Sequence, residues 1–137
     1  MTKASFLAKA EPAAFAALRI VSGLLFAQHG LQKHFGWPPG GHHVTLTSQL
    51  GVGGVIELVG GTLIAIGLFT RCAAFVASGT MAVAYFQFHW KLALTNSAWL
   101  PVVNKGELAV LYCFLFLFIA THGAGAISID DRSRRRG

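Results

Sequence analysis

Long apolar runs separated by short polar stretches dominate the pattern of this chain. Four runs reach or approach the 20 or so helical residues that cross a hydrocarbon layer. They lie at about residues 13–35, 52–69, 73–90 and 108–127. Only residues 70–72 separate the second run from the third, which predicts an antiparallel helical hairpin. The pattern therefore predicts an all-α integral membrane protein, with four helices in an up-down-up-down bundle that forms a single domain over residues 1–137.

Composition agrees with a membrane protein rather than a soluble one. The chain has 137 residues, of which 54% are hydrophobic and only 12% charged, and this is too apolar for a small soluble domain. Lys3 and Lys9 precede the first apolar run, as in a secretory signal peptide. Arg19 breaks that run, however, and no A-x-A-like site follows it. We therefore expect the first run to be retained as a membrane helix.

The basic residues indicate how the chain is oriented. A formal net charge of +6 could indicate a nucleic-acid partner, but the charges are unevenly placed. The side of the termini carries Lys3, Lys9, Arg71, Arg132, Arg134, Arg135 and Arg136, and the opposite side carries Lys33, Lys91 and Lys105. This is the positive-inside pattern of the bacterial cytoplasmic membrane, so both termini are expected in the cytoplasm. The basic tail, residues 130–137, is interpreted as a topology determinant near anionic lipid, with no nucleic-acid partner.

A layer of polar side chains is predicted within the outer half of the bundle. Glu57 lies inside an apolar run, where a carboxylate costs about 2 to 4 kcal/mol unless it has a partner. With the N-terminus inside, all four predicted helices bring polar groups to the level of Glu57. The candidates for a ligand pocket in this layer are Gln28, His29, Gln32, Lys33, Glu57, Tyr85, His89 and Glu107.

Helical spacing indicates which way these groups point. Gly53, Gly60 and Gly67 recur every seven residues, with Gly54 and Gly61 beside them, a small-residue stripe that lets membrane helices approach closely. Glu57 is three or four residues from four of these glycines, so it is expected to face inward. In the first helix the corresponding stripe carries Arg19, Gly23, Phe26, Gly30 and Lys33, with His29 at its edge.

Two interpretations of the polar layer remain open. The acids can pair with Lys33 or His29 only to hold the helices in register, because buried ion pairs often have that role. Alternatively, the groups line a pocket for a polar head such as a quinone ring, or relay protons. Arg19 lies in the inner third of its helix with no obvious acidic partner, and we expect it to extend to the cytoplasmic interface, on the same side as Arg71.

Other candidate chemistry is weak. His34, His42 and His43 have no metal-ligand spacing and are expected in a solvated loop, so no metal site is predicted. Cys72 and Cys113 are expected at different depths, beyond the reach of a disulfide. No nucleotide-binding, nucleophile or cluster-binding motif is present, which disfavours a self-contained enzyme with an intrinsic cofactor.

Motifs in order along the chain resemble those of the DoxX family of small bacterial four-helix membrane proteins. The resemblance runs from Leu18 to Asp130 and includes HGLQK, then E-x-x-G-G, then G-L-x-T-R, then G-E-L-A. It implies a cytoplasmic-membrane bundle linked to redox chemistry, of the quinone, thiol or sulfur type and associated with oxidative stress. The family positions that recur in these motifs are occupied by His29, Gln32, Lys33, Glu57, Arg71 and Glu107.

Three hypotheses about function follow. The first is an accessory subunit of a membrane redox system, with a membrane or soluble redox partner and a quinone pocket. The second is a small transporter or proton-coupled permease, which would need a homo-oligomer because four short helices leave little room for a channel. The third is a structural or assembly factor that binds no ligand.

Overall fold

The structure, a computed structural model, describes residues 3–41 and 43–136, and over these residues it contains helices and loops but no strand. The prediction of an all-α chain is thus confirmed. Six α-helices follow one another along the chain, and a π-helical segment, Tyr85–Trp90, continues directly from the third. They are α1 (Lys3–Phe35), α2 (Gln49–Ile66), α3 (Thr70–Ala84), α4 (Pro101–Asn104), α5 (Glu107–His122) and α6 (Ile129–Arg134).

The helix ends differ from the predicted ones for local reasons. Helix α1 begins ten residues before the apolar run, because residues 3–12 are rich in alanine and lysine, which favour a helix, although their charges keep them out of the apolar run. Helix α2 begins at Gln49, where the Ser48 hydroxyl accepts a hydrogen bond from the Gly51 N–H at 3.0 Å. Helix α5 ends at His122 rather than at residue 127. Gly123 has a φ of 98°, which does not continue a helix.

Helices α1 and α2 pack antiparallel through glycines on both. Gly23 lies against Gly61, and Gly30 lies against Gly54. A Cβ atom on Gly23 would lie 2.7 Å from the Gly61 carbonyl oxygen, so the two backbones are in direct contact. The prediction of a glycine contact is confirmed. The contact uses Gly54 and Gly61 and not Gly53, where a Cβ would meet nothing within 4 Å.

Helices α3 and α5 form the second antiparallel pair. The Ser78 hydroxyl donates a hydrogen bond to the Cys113 carbonyl at 2.7 Å, near the middle of both helices. Helix α2 packs against α3 across a three-residue connection, which lies at residues 67–69 instead of the predicted 70–72. Cys72 and Cys113 are both free cysteines.

Large apolar side chains occupy both the interior and much of the surface of the fold. Phe26, Ile64, Phe116 and Ile119 are fully buried and form the centre of the core. Many large apolar side chains nevertheless lie on the outside, among them Leu24, Val59, Phe75, Leu111, Phe114 and Phe118. By length and hydropathy, two helices in the described chain can each cross a membrane, Ser5–Phe35 and Gln49–Ile66, and Glu107–His122 is a shorter apolar helix.

Candidate functional site

Glu57 and Lys33 form a partly buried ion pair between α2 and α1. The Lys33 Nζ atom lies 2.6 Å from Glu57 Oε1, and the Glu57 side chain is only 6% exposed. The absence of a side chain at Gly54 leaves room for the aliphatic part of Lys33, since a Cβ there would lie 3.2 Å from Lys33 Cδ. The second carboxylate oxygen, Oε2, is buried and has no hydrogen-bond partner among the described residues. The prediction that Glu57 points inward is therefore confirmed.

His34 lies beside this pair and not in a solvated loop. It belongs to the last turn of α1, and its ring packs over Gly54, where a Cβ would come within 2.7 Å of His34 Nε2. That nitrogen is buried without a partner in the described chain. His43 is exposed as expected, and His42 lies outside the described residues. The described part of the chain holds no group of three His, Cys, Asp or Glu side chains that could bind a metal.

A small groove with polar walls lies between α1, the loop that follows it and α5. Its volume is about 310 Å³, and it is lined by Leu25, Gln28, His29, Gln32, Pro38, Leu108 and Tyr112. The Gln32 amide donates a hydrogen bond to the Pro38 carbonyl at 3.0 Å, which holds the loop against the helix. The rings of His29 and Tyr112 meet edge to face, 6.5 Å between centroids. Three of the predicted candidates, Gln28, His29 and Gln32, therefore share one site.

Two further candidates, Tyr85 and His89, lie in a separate cluster at the end of α3. The Tyr85 hydroxyl donates to the Trp99 carbonyl and accepts a bond of 3.2 Å from the Asn104 amide. His89 Nδ1 lies 3.3 Å from the Asn104 carbonyl oxygen. These bonds tie the π-helical segment to α4 and the loop before it. Within the described chain the polar groups of this cluster thus bind one another and shape the outer connection.

Glu107 joins none of these groups. It is exposed in the first turn of α5, and the structure shows it in no hydrogen bond or ion pair with another described residue. A negative side chain at this end of a helix interacts favourably with the helix dipole, which explains its position without a ligand. The eight predicted candidates therefore do not form one pocket, because they separate into the partly buried ion pair, the groove beside His29, the Tyr85 cluster and Glu107.

At the opposite end of the fold, Arg19 is fully buried, which corrects the expectation that it extends to the cytoplasmic interface. Its guanidinium donates to the Ala124 carbonyl at 3.1 Å and to the Ile127 carbonyl at 2.8 Å. Asp130 provides a favourable charge without a direct hydrogen bond. The side chain lies against Gly67, where a Cβ would collide with it. Arg19 therefore anchors the chain that follows α5 to the first helix.

Arg71 holds the same end of the fold from α3. Its guanidinium donates to the carbonyls of Ala120, Thr121 and His122 at 2.6 to 3.2 Å. Carbonyls in the last turn of a helix have no partner within it, so Arg71 caps α5. The side chain is exposed, as expected for a residue near an interface.

Asp130 caps the start of α3 from a distance. Its carboxylate accepts bonds from the Phe69 N–H at 3.0 Å, the Thr70 N–H at 3.0 Å and the Thr70 hydroxyl at 2.8 Å. Burial by itself raises the pKa of Asp130. The bonds from Thr70 and Phe69 and the charge of Arg134 outweigh burial, so the pKa lies below its ordinary value of 3.8.

Replacing Asp130 with asparagine is expected to make the free energy of unfolding depend less on pH in the acid range. Because the folded pKa is depressed, the stabilisation is complete above pH 3.8 and is lost as the pH falls through the lower folded value. Asp130→Asn should lose about 1 kcal/mol at neutral pH, as for a lost helix cap. Thermal unfolding between pH 3 and pH 7 measures this difference, with Asp131→Asn as the control, since Asp131 pairs with Arg135 in the tail. Equal pH profiles for wild type and Asp130→Asn would contradict the assignment.

Comparison with known protein families gives a match over more than half of the chain. The profile of the DoxX family matches residues 14–90, from the first turns of the apolar run in α1 to the end of the π-helical segment. The chain belongs to the DoxX family. A DoxX-family assignment also makes it a membrane protein, and the matched region includes Arg19, His29, Lys33 and Glu57.

One relative extends the similarity beyond the matched region. An uncharacterised protein of Haemophilus influenzae is 43% identical over 129 residues, which are 92% of this chain and 95% of the relative. No solved structure matches the chain. The similarity to the relative therefore supports the family, and the arrangement of the DoxX candidate residues rests on the contacts described above.

Sequence reasoning missed Tyr112, Asn104 and Asp130. Tyr112 sits in an aromatic run where its hydroxyl is the only polar group, so apolar packing was the obvious interpretation. The Asn104 amide binds the Tyr85 hydroxyl, and the Asp130 carboxylate binds the backbone N–H groups of Phe69 and Thr70, 61 and 60 residues away. No spacing rule indicates such partners. Ser128, whose hydroxyl caps α6 by accepting from the Asp131 N–H, was the one local sign that an ordered turn precedes the tail.

Proposed function

We propose that this DoxX protein is a multi-pass protein of the bacterial cytoplasmic membrane, with α1, α2, α3 and α5 as an up-and-down four-helix bundle. Large apolar side chains on the outside and buried charges on the inside suit a bundle surrounded by lipid rather than water. The charge asymmetry along the sequence supports a cytoplasmic position for both termini. Arg71 and the arginines of the tail then lie together on the cytoplasmic side.

Within that membrane, the protein binds the ring of a quinone in the groove beside His29 and serves as an accessory subunit of a redox system. The observation that carries this function is the groove itself, because it combines amide and imidazole groups with an aromatic wall. Quinone oxygens accept hydrogen bonds, which the Gln28 amide and the His29 ring can donate. The Gln32 amide already binds the Pro38 carbonyl, so its role is to hold the loop in place.

Reduction of a bound quinone to its quinol takes up two electrons and two protons, and the role of this chain is to hold the ring. The electrons are supplied by a partner protein that carries its own redox cofactor. This division of labour describes a non-catalytic subunit.

Specific observations favour this function over the two alternatives. Transport through one protomer would require a polar path, but fully buried Phe26, Ile64, Phe116 and Ile119 separate the outer polar groups from Arg19. The ion pair of Lys33 and Glu57 does fit a structural role, since each partner satisfies the other's charge. That role concerns α1 and α2 only, and it leaves the groove beside His29 unexplained.

The ring site is tested with His29→Ala. Loss of one hydrogen-bond donor to the ring is expected to weaken binding of a tail-less benzoquinone analogue by about tenfold. Isothermal titration calorimetry on protein in lipid nanodiscs measures the dissociation constant. Folding should not change, because the His29 side chain is exposed in the structure.

The matched control is His43→Ala, which removes an exposed histidine on the same side of the bundle and outside the groove. It should bind the analogue as wild type does. The ring site is wrong if wild type binds no analogue, or if both alanine variants lose affinity equally.

A further inference from the structure

A second groove runs along the outside of the bundle between α1 and α5. Its volume is about 570 Å³. Its walls are almost entirely apolar and include Ala14, Ala17, Leu18, Val21, Leu111 and Leu115. Leu25, Leu108 and Tyr112 line both this groove and the polar groove beside His29. The two grooves are therefore continuous, with a polar end and a long apolar arm.

The apolar arm exists because α1 and α5 are held apart. Where α1 meets α2, glycines let the backbones touch, but the contacts between α1 and α5 are made by large rings. Phe26 and Phe116 lie 4.7 Å apart between ring centroids, and Phe15 and Phe118 lie 5.9 Å apart. Alanines 14 and 17 do not fill the remaining space. The groove is thus open to the acyl chains of the membrane along its length.

We propose that the apolar groove holds the isoprenoid chain of the same ligand, a proposal that rests on the ring site described above. The ligand of this protein is then a long-tailed, membrane-resident quinone that enters sideways from the lipid. From Leu25 to Ala14 the groove follows eleven residues of α1, or about 16 Å at 1.5 Å per residue. That length suits a single extended hydrocarbon chain attached to a ring at the polar end.

The charges at the polar end distinguish this ligand from a phospholipid. A phosphate group is usually bound by arginine or lysine, and among the described residues neither type lines the polar groove. Lys33, the nearest basic residue along α1, is already paired with Glu57 at 2.6 Å. The polar groove offers amide and imidazole donors, which suit a carbonyl head.

The test compares a quinone with a long isoprenoid chain and its tail-less analogue in the same phosphatidylcholine nanodiscs. Wild type should bind the long-tailed quinone about tenfold more tightly. Ala17→Phe fills the groove and should remove this advantage, while the affinity for the tail-less analogue stays unchanged. Each quinone partitions into the lipid to the same extent for every variant. A change in the ratio of the two dissociation constants, long-tailed to tail-less, therefore reports the groove alone. Val21→Phe provides a second blocked groove.

The matched control is Ala13→Phe, because Ala13 is exposed on the same helix, one turn before Ala17, and is not among the residues that line the groove. It should keep the wild-type ratio. If wild type binds neither quinone, the ring site and the chain site both fail. If the tail-less analogue binds but both groove variants keep the wild-type ratio, only the chain site is overturned. The chain site is also overturned if Ala17→Phe and Val21→Phe merely dissociate a dimer, since a second copy then occupies the groove.

Discussion

Replacing Arg19 with methionine is expected to destabilise the fold by about 2 to 4 kcal/mol, because the two hydrogen bonds from its buried guanidinium to backbone carbonyls are lost. The Ala124 and Ile127 carbonyls bind the guanidinium at 3.1 and 2.8 Å, and Arg19 is fully buried. Methionine has a similar length but no donor. Loss of these bonds should also release the turn that positions Asp130 against α3, so the effect extends beyond the site of the change.

Two further variants make the measurement specific. Arg19→Lys should fall between wild type and Arg19→Met, since one ammonium group cannot reproduce the geometry of the guanidinium. Arg132→Met removes an exposed arginine from α6 and should change stability little. Thermal unfolding in detergent, followed by circular dichroism, ranks the four proteins. Equal stability of Arg19→Met and Arg132→Met would show that the buried contacts contribute nothing.

Removing Lys33 is expected to be more damaging than removing both members of its ion pair. Lys33→Met leaves the buried Glu57 carboxylate without its partner, which should cost about 3 kcal/mol. In the double variant Lys33→Met with Glu57→Gln, no uncompensated charge remains. The double variant should therefore be the more stable of the two. This non-additivity is the expected property of a buried pair.

The measurement is a double-mutant cycle on unfolding in detergent, with Lys91→Met as the control for loss of an exposed lysine. Lys91→Met should resemble wild type. If the effects of Lys33→Met and Glu57→Gln simply add, the 2.6 Å contact has no energetic consequence. The same variants separate a structural role from a binding role, because quinone affinity at the His29 groove should be unchanged in the stable double variant.

Part of the fold could be predicted because apolar spacing and small residues have direct geometric consequences. The inward position of Glu57 followed from its offset to the glycines of α2, and the structure buries it. The end of α1 at Phe35 and the end of the π-helical segment at Trp90 were predicted by hydropathy alone. These features depend on one element or on two neighbouring ones.

The arrangement of the candidate site could be predicted only in part. Depth in the membrane placed Lys33, Glu57, His29 and His89 at one level, but depth does not determine which helices are neighbours. The structure pairs α1 with α2 and α3 with α5, so His89 finds Asn104 instead of Glu57. Arg19 was misjudged because its partners are backbone carbonyls. Every residue has a backbone carbonyl, so the sequence does not show which of them a guanidinium will bind.

The bonds of Arg19 also bear on how the chain is made. Its two acceptors lie 105 and 108 residues further along the chain. During translation α1 is made well before either carbonyl, so the Arg19 guanidinium has neither acceptor while α2, α3 and α5 are being synthesised. Chains that end before residue 124 should therefore be less stable than chains that contain both acceptors.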